Sequence, residues 1–171
     1  MTEVILVDTD DREIGRMEKL AAHQQGQLHR AISIFVFNSG GELLLQKRAA
    51  GKYHSAGLWS NTCCSHPAPG EKTLDAARRR LKEEMGISLE LQLSHSFIYR
   101  AEFENGLTEY ELDHVFTGIY SGAPVPDPEE AEDWKFISLA ELNSDIAENP
   151  EQYSVWLKII LQDSRFIMNQ K

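Results

Sequence analysis

The chain has 171 residues, 42% of them hydrophobic, and a formal net charge of −10. That length suits one domain with a real core, and no apolar run approaches the ~20 residues of a membrane span. The acidic balance argues against nucleic acid as a partner, because a phosphate backbone needs a basic face to neutralise it.

The N-terminus, Met1-Thr2-Glu3-Val4, lacks the basic and apolar regions of a signal peptide. The only cysteines, Cys63 and Cys64, are neighbours that seldom close an unstrained disulfide. Both points predict a cytoplasmic protein with two free thiols.

Val4–Val7 is a short apolar run, and Met17–Ala22 reads as a turn of helix or an irregular connection. Ile32–Phe37 and Glu42–Gln46 are β-rich, joined by the hairpin signal Asn38-Ser39-Gly40-Gly41. A polar loop with Arg48, Lys52 and Gly57 leads to an extended Leu58–Thr62, and the prolines after it keep Cys63–Gly70 out of helix. Thr73 is placed to cap a helix ending at Met85, with Gly86 as its stop and Leu74, Ala77, Leu81 and Met85 on the buried face. Ile87–Leu93, Ser96–Phe103, Thr108–Tyr120 and Trp134–Ile137 are expected strands. Ser138 caps a helix, and Pro150 opens another that carries Trp156. With no repeat or dividing linker, the expectation is one α+β domain over residues 1–171.

The most specific local pattern is Glu71, seven intervening residues, then Arg79-Arg80-Leu81-Lys82-Glu83-Glu84-Met85-Gly86-Ile87. Arg79 with Glu83, and Arg80 with Glu84, lie one turn apart and share a face. A short charged run is usually a solvated helix, but the placement of Glu71 and Gly86 makes this one resemble the Nudix box, in which glutamates gather a divalent cation around a diphosphate. The resemblance implies an α/β/α sandwich with a mixed sheet. Two positions depart from it. Ser65 stands where the first glycine belongs, and Arg80 stands where hydrolases carry a metal-binding glutamate. A cation there weakens hydrolysis yet suits a phosphate.

Residues two apart on an extended segment point the same way. Cys64 therefore pairs with His66, and Glu109 with Glu111, while Cys63 turns to the core as a small hydrophobe. Singly, a buried thiol and a pair of solvated glutamates are the ordinary readings. His23 and His29 upstream make them less comfortable. With Glu18–His23, Leu28-His29, Arg48-Ala49, Leu58–Asn61, Cys64–Pro67, Arg79-Arg80, Phe97–Ala101, Glu109–Glu111 and Trp156 in this order, the sequence from Val4 to Ile160 resembles the type 1 isopentenyl diphosphate isomerases.

That resemblance implies interconversion of isopentenyl and dimethylallyl diphosphate through a tertiary carbocation-like intermediate. Cys64 and Glu111 would be the proton-transfer pair, with Tyr99 assisting the glutamate and Trp156 facing cationic charge. His23, His29, His66, Glu109 and Glu111 would hold zinc or manganese. Magnesium would bridge the diphosphate to Glu84 and the Cys64 backbone carbonyl, and Lys19, Arg48, Lys52 and Arg80 would bind the diphosphate. His54, His95 and His114 receive no role. The implied enzyme binds a small-molecule diphosphate, works apart from membranes, and is a monomer or weak dimer. A Nudix hydrolase of a diphosphate ester would leave Cys64, His66 and Glu109 idle. A non-catalytic metal-binding module would leave the diphosphate features unexplained.

Overall fold

The computed structural model describes residues 2–52 and 54–169; Met1, Tyr53, Gln170 and Lys171 lie outside it. The strands are β1 (Glu3–Val7), β2 (Glu13–Glu18), β3 (His29–Phe37), β4 (Leu43–Arg48), β5 (Trp59–Ser60), β6 (Cys63–Ser65), β7 (Gln92–Glu102), β8 (Thr108–Ile119) and β9 (Ala131–Ile137). The helices are α1 (Lys19–Gln25), α2 (Thr73–Met85), α3 (Leu139–Glu148), α4 (Val155–Gln162) and α5 (Ser164–Asn169).

The β-branched and aromatic run of β3 makes it the central strand. It pairs in parallel with β8 along its whole length, from His29↔Glu111 to Phe37↔Ile119. The other edge of β3 meets β1 at His29, β6 over Ile32–Ile34 and β4 at Phe37. β7 pairs antiparallel with β8, and β9 with β4. The sheet is mixed, as expected of the α+β sandwich.

Strand alternation divides the core in two. Ile32, Ile34, Val36 and Cys63 pack beneath α2 through Ala76, Ala77, Leu81 and Met85. Phe35, Phe37, Tyr99 and Val115 pack on the opposite face against Trp156, Leu157 and Ile160 of α4 and Phe166 of α5. Among the described residues no helix is long and apolar enough to cross a membrane.

Several expectations need correction. Met17–Ala22 is divided between β2 and α1, whose first turn is capped by the Glu18 side chain on the Ala21 amide. Thr73 is the first helical residue of α2, not its cap; Lys72 holds that place and its side chain makes no capping bond. Ile87–Leu91 is not strand. Gly86 ends α2 in the left-handed conformation (φ 67°), Ile87 and Leu91 drop into the core, and pairing begins only at Gln92. Pro150 opens a single 3-10 turn (Pro150–Gln152), and α4 starts afresh from a Ser154 cap. The Ser138 cap stands, accepting from the Glu141 amide.

Candidate active site

Twelve of the thirteen predicted site residues line one cleft of about 290 Å3; His29 lies behind its wall, fully buried. The ends of β3, β6 and β8 supply the floor. Register places Cys64 opposite Ser33 and His29 opposite Glu111. β7 sets Tyr99 opposite Glu111. α1 brings Lys19 and His23, the end of β4 brings Arg48 and the loop after it Lys52, α2 brings Arg80 and Glu84, and α4 brings Trp156.

His23, His29, His66 and Glu111 each offer a donor atom, all within 4.8 Å of one another. His29 Nε2 and His66 Nε2 lie 2.9 and 2.7 Å from Glu111 Oε2. Burial, then the nearby His66, depresses His23 to about 3, leaving a neutral imidazole. Burial also lowers His66, outweighing the attraction of Glu111. At His29 burial acts downward but the Glu111 hydrogen bond and charge outweigh it, so its pKa is raised. Glu111 is pushed up by burial and more strongly down by His29 and His66, which hold it ionised. The His29 Nδ1 lies 2.8 Å from the Gln27 carbonyl. That contact fixes Nδ1 as donor and turns Nε2 toward Glu111 and the space between the three imidazoles.

Glu109, predicted as a fifth ligand, falls outside this group. Its Oε2 accepts from the Tyr99 hydroxyl at 2.8 Å, and its Oε1 lies 3.1 Å from His54 Nε2. Tyr99 also donates to Glu111 Oε1. Burial and the two carboxylates push the Tyr99 phenol well above its ordinary value.

Cys64 occupies a setting of the opposite kind. Its S–H donates to Asn61 Oδ1 at 3.0 Å, and its sulfur lies 3.7 Å from Ser33 Oγ, which in turn donates to Asp113 at 2.6 Å. Asn61 is held in place by its side-chain Nδ2, which donates hydrogen bonds to the Ile34 and Cys63 carbonyls. Burial and the neighbouring Asp113 raise the Cys64 thiol, and burial with Glu111's charge raises Asp113. Cys63 turns the other way into the α2 core as expected, but it is more than a hydrophobe: its thiol donates to Glu84. Burial, outweighing Arg80, raises Glu84 to about 7.

The cations are already engaged. Arg80 bonds Glu83 at 2.6 Å and lies 3.8 Å from Glu84 and 3.4 Å from Glu130. Lys52 donates to Glu130, and that contact outweighs burial to lower Glu130 to about 2. Arg48 lies over the Trp156 ring, 5.0 Å from its centroid. Burial, then the charge of Lys52, lowers Lys19. In the outer part of α2, Arg79 spans Glu71 and Glu83 as the spacing requires.

Sequence reasoning missed Ser33, His54, Asn61, Asp113 and Glu130. Asp113 continues the same-side series of Glu109 and Glu111, so parity alone reaches it. His54 and Glu130 lie in loops and carry no such signal. His114 and His95 are elsewhere, 2.9 Å from Asp11 and 4.0 Å from Asp163.

Residues 27–157 match the NUDIX domain. The chain is 60% identical over 159 residues to isopentenyl-diphosphate Delta-isomerase 2 of Aromatoleum aromaticum, an alignment covering 93% of this chain and 84% of that one. It is 62% identical to isopentenyl-diphosphate Delta-isomerase 1 of the same organism, over 91% of this chain and 88% of that one. In three dimensions it is similar to the crystal structure of DR0079 from Deinococcus radiodurans, with a TM-score of 0.77 over 92% of this chain and 96% of that one. At 19% identity that likeness speaks for the fold alone.

Proposed function

The chain belongs to the NUDIX-domain isopentenyl-diphosphate Delta-isomerases, and we propose that it interconverts isopentenyl and dimethylallyl diphosphate with Cys64 and Glu111 as its proton-transfer pair. One observation carries this assignment. Two proton-carrying groups line one cleft in opposite settings, Cys64 giving its hydrogen to Asn61 and Glu111 receiving from His29, His66 and Tyr99. A thiol held as S–H and a carboxylate held ionised can deliver one proton and accept another without exchanging roles first.

Three imidazoles and a carboxylate suit zinc or manganese, and His29, with its Nδ1 tied to Gln27, is set to present Nε2. Such a cation, when bound, would take the place of the hydrogens that His29 and His66 hold toward Glu111 and supply positive charge that tunes its acidity. Glu84, buried and raised to about 7, is suited to ionise beside magnesium carried by the diphosphate, with the Cys64 carbonyl as its neighbour in the proposal. Lys19, Arg48, Lys52 and Arg80 bind the diphosphate, and Arg80 and Lys52 exchange carboxylate partners for phosphate oxygens to do so. The Trp156 ring, 3% exposed, forms an apolar wall that keeps water from a cationic intermediate. The same proposal takes the chain as one domain over residues 1–171 that works as a monomer or weak dimer in the cytoplasm.

Incubation with isopentenyl diphosphate and magnesium in heavy water tests the reading. The expected product is the dimethylallyl isomer carrying solvent deuterium. Phosphate release in its place would identify a hydrolase, and product free of deuterium after many turnovers would remove the two-group mechanism.

Arg80 gives a second test. Arg80→Glu adds a carboxylate beside Glu83, Glu84 and Glu130 and turns attraction for phosphate into repulsion. A charge-assisted hydrogen bond contributes about 1.5–3 kcal/mol, so substrate affinity should weaken by roughly one to two orders of magnitude. Parent-like binding by calorimetry would withdraw Arg80 from the phosphate site.

A further inference from the structure

Asn61 lies between β5 and β6 and is fully buried. An amide side chain enclosed there must find partners for two N–H donors and two oxygen lone pairs. It finds all four. Nδ2 donates to the Ile34 and Cys63 carbonyls at 3.1 and 3.0 Å. Oδ1 accepts from the Ser60 hydroxyl and from the Cys64 thiol, each at 3.0 Å. A buried amide with every site filled is rigid, so the direction of its oxygen is fixed.

The Ser60 bond belongs to a longer chain whose polarity is set at both ends. Oδ1 can only accept, so Ser60 gives its hydrogen to Asn61 and must itself accept from the Ser154 hydroxyl at 3.1 Å. Ser154 accepts in turn from the Leu157 amide at 3.4 Å, as the N-cap of α4. Its own amide donates to the Trp59 carbonyl at 2.9 Å, which ties the start of α4 to β5. Both serines are buried. Of Leu157, Ser154, Ser60, Asn61 and Cys64, only the last lines the cleft.

We infer that Asn61 is a positioning residue for the isomerisation: held by its two carbonyl partners and by the Ser154–Ser60 chain, its oxygen sets the direction in which the Cys64 side chain faces the cleft. The inference rests on the reading of Cys64 as a proton carrier given above. It also places Cys64 and the helix that carries Trp156 on one hydrogen-bonded frame.

The test uses Asn61→Ala and Ser60→Ala, each with its melt, KM and magnesium dependence measured. Asn61→Ala should lower kcat about tenfold to a hundredfold, the scale of a misplaced reacting group. KM and the magnesium concentration for half-maximal rate should change little. In a Cys64→Ala background the same substitution should cost the residual turnover almost nothing, because no thiol is left to aim. Ser60→Ala keeps the amide's bonds to both carbonyls, and it carries the test if Asn61→Ala does not fold. Independently of turnover, the S–H stretching band reports the contact, because donating a hydrogen bond lowers its frequency. Raman spectra in a Cys63→Ala background isolate it, since Cys64 is then the sole thiol. The band should rise in Asn61→Ala, which removes the acceptor, and fall in Ser60→Ala, which leaves Oδ1 to Cys64 alone. A band unmoved in either variant, additive losses of kcat, or a loss confined to KM or to magnesium would each overturn the inference. A parent whose band responds in this way yet does not isomerise substrate would overturn the functional reading, and with it the link to catalysis, while the contact stands.

Discussion

Replacing Cys64 by alanine should lower isomerase turnover by about 10²–10⁴-fold, the usual contribution of a positioned acid or base, while the protein stays folded. Replacing Cys63 by alanine should leave most of the activity. The two thiols are adjacent, but strand alternation sends them to opposite faces. Cys64 opens on the cleft beside Ser33 and Asn61, whereas Cys63 is enclosed among Ala76, Ala77 and Leu81. Cys63→Ala removes a small volume and the hydrogen bond to Glu84, so it should cost about 1 kcal/mol of stability. Because that bond lowers the Glu84 pKa against the effect of burial, Cys63→Ala should also raise the magnesium concentration needed for half-maximal rate. Steady-state turnover and circular dichroism melts of both variants decide the matter. A folded, inactive Cys63→Ala beside an active Cys64→Ala would overturn the assignment and the strand register beneath it.

The same alternation explains what could be read from the sequence. β8 and the extended segment around β6 carry a two-residue period that shows which side chains share a face, and that period paired Cys64 with His66 and Glu109 with Glu111. α2 was legible through its apolar spacing and its glycine stop. β2 was not, because Glu13–Glu18 has no buried residue and pairs only with β1; a strand without a hydrophobic face leaves no pattern. Ile87–Leu91 erred in the other direction. Its apolar residues are buried by the turn out of α2 and not by a ladder, and burial without pairing looks like a strand in sequence.

Within the cleft, the residues whose chemical type suits a diphosphate, a metal or a proton were legible, and those that contact them from behind were not. Ser33 and His54 meet partners 31 and 55 positions away in sequence, respectively. No local spacing encodes such contacts; they arise when the loop after β4 and the ends of β3 and β6 are folded onto β8. Glu130 is similar. Within Asp127–Asp133 it reads as one more solvated charge, yet it receives Lys52 and lies 3.4 Å from Arg80.

Glu111→Gln should be as damaging as the loss of Cys64, and for two separable reasons. The carboxylate collects His29 Nε2, His66 Nε2 and the Tyr99 hydroxyl, whereas an amide has one accepting oxygen and must turn its own N–H2 toward one of these donors. Turnover should fall by about 10²–10⁴-fold. Bound zinc or manganese should fall too, because the four-residue group loses its only anion. Glu111→Asp separates the effects. It keeps the charge and should keep the metal, but withdrawing the carboxylate by one methylene should still cost about 10²-fold in rate. Melting of the metal-free proteins adds a pH signature. Glu111 has a depressed pKa, so its contribution to stability is present above the unfolded value of about 4.3 and is lost as pH falls through the folded one. His29 has a raised pKa, so its contribution is complete below about 6.5 and is lost as pH rises through the folded value. The difference in melting temperature between the parent and Glu111→Gln should therefore be widest from about pH 4.3 to 6.5 and shrink on both sides. A difference that does not change with pH would mean that the His29–Glu111 pair is not the charged pair inferred from its geometry. Full metal content in a dead Glu111→Gln would keep Glu111 as a proton carrier and remove it from the ligand set.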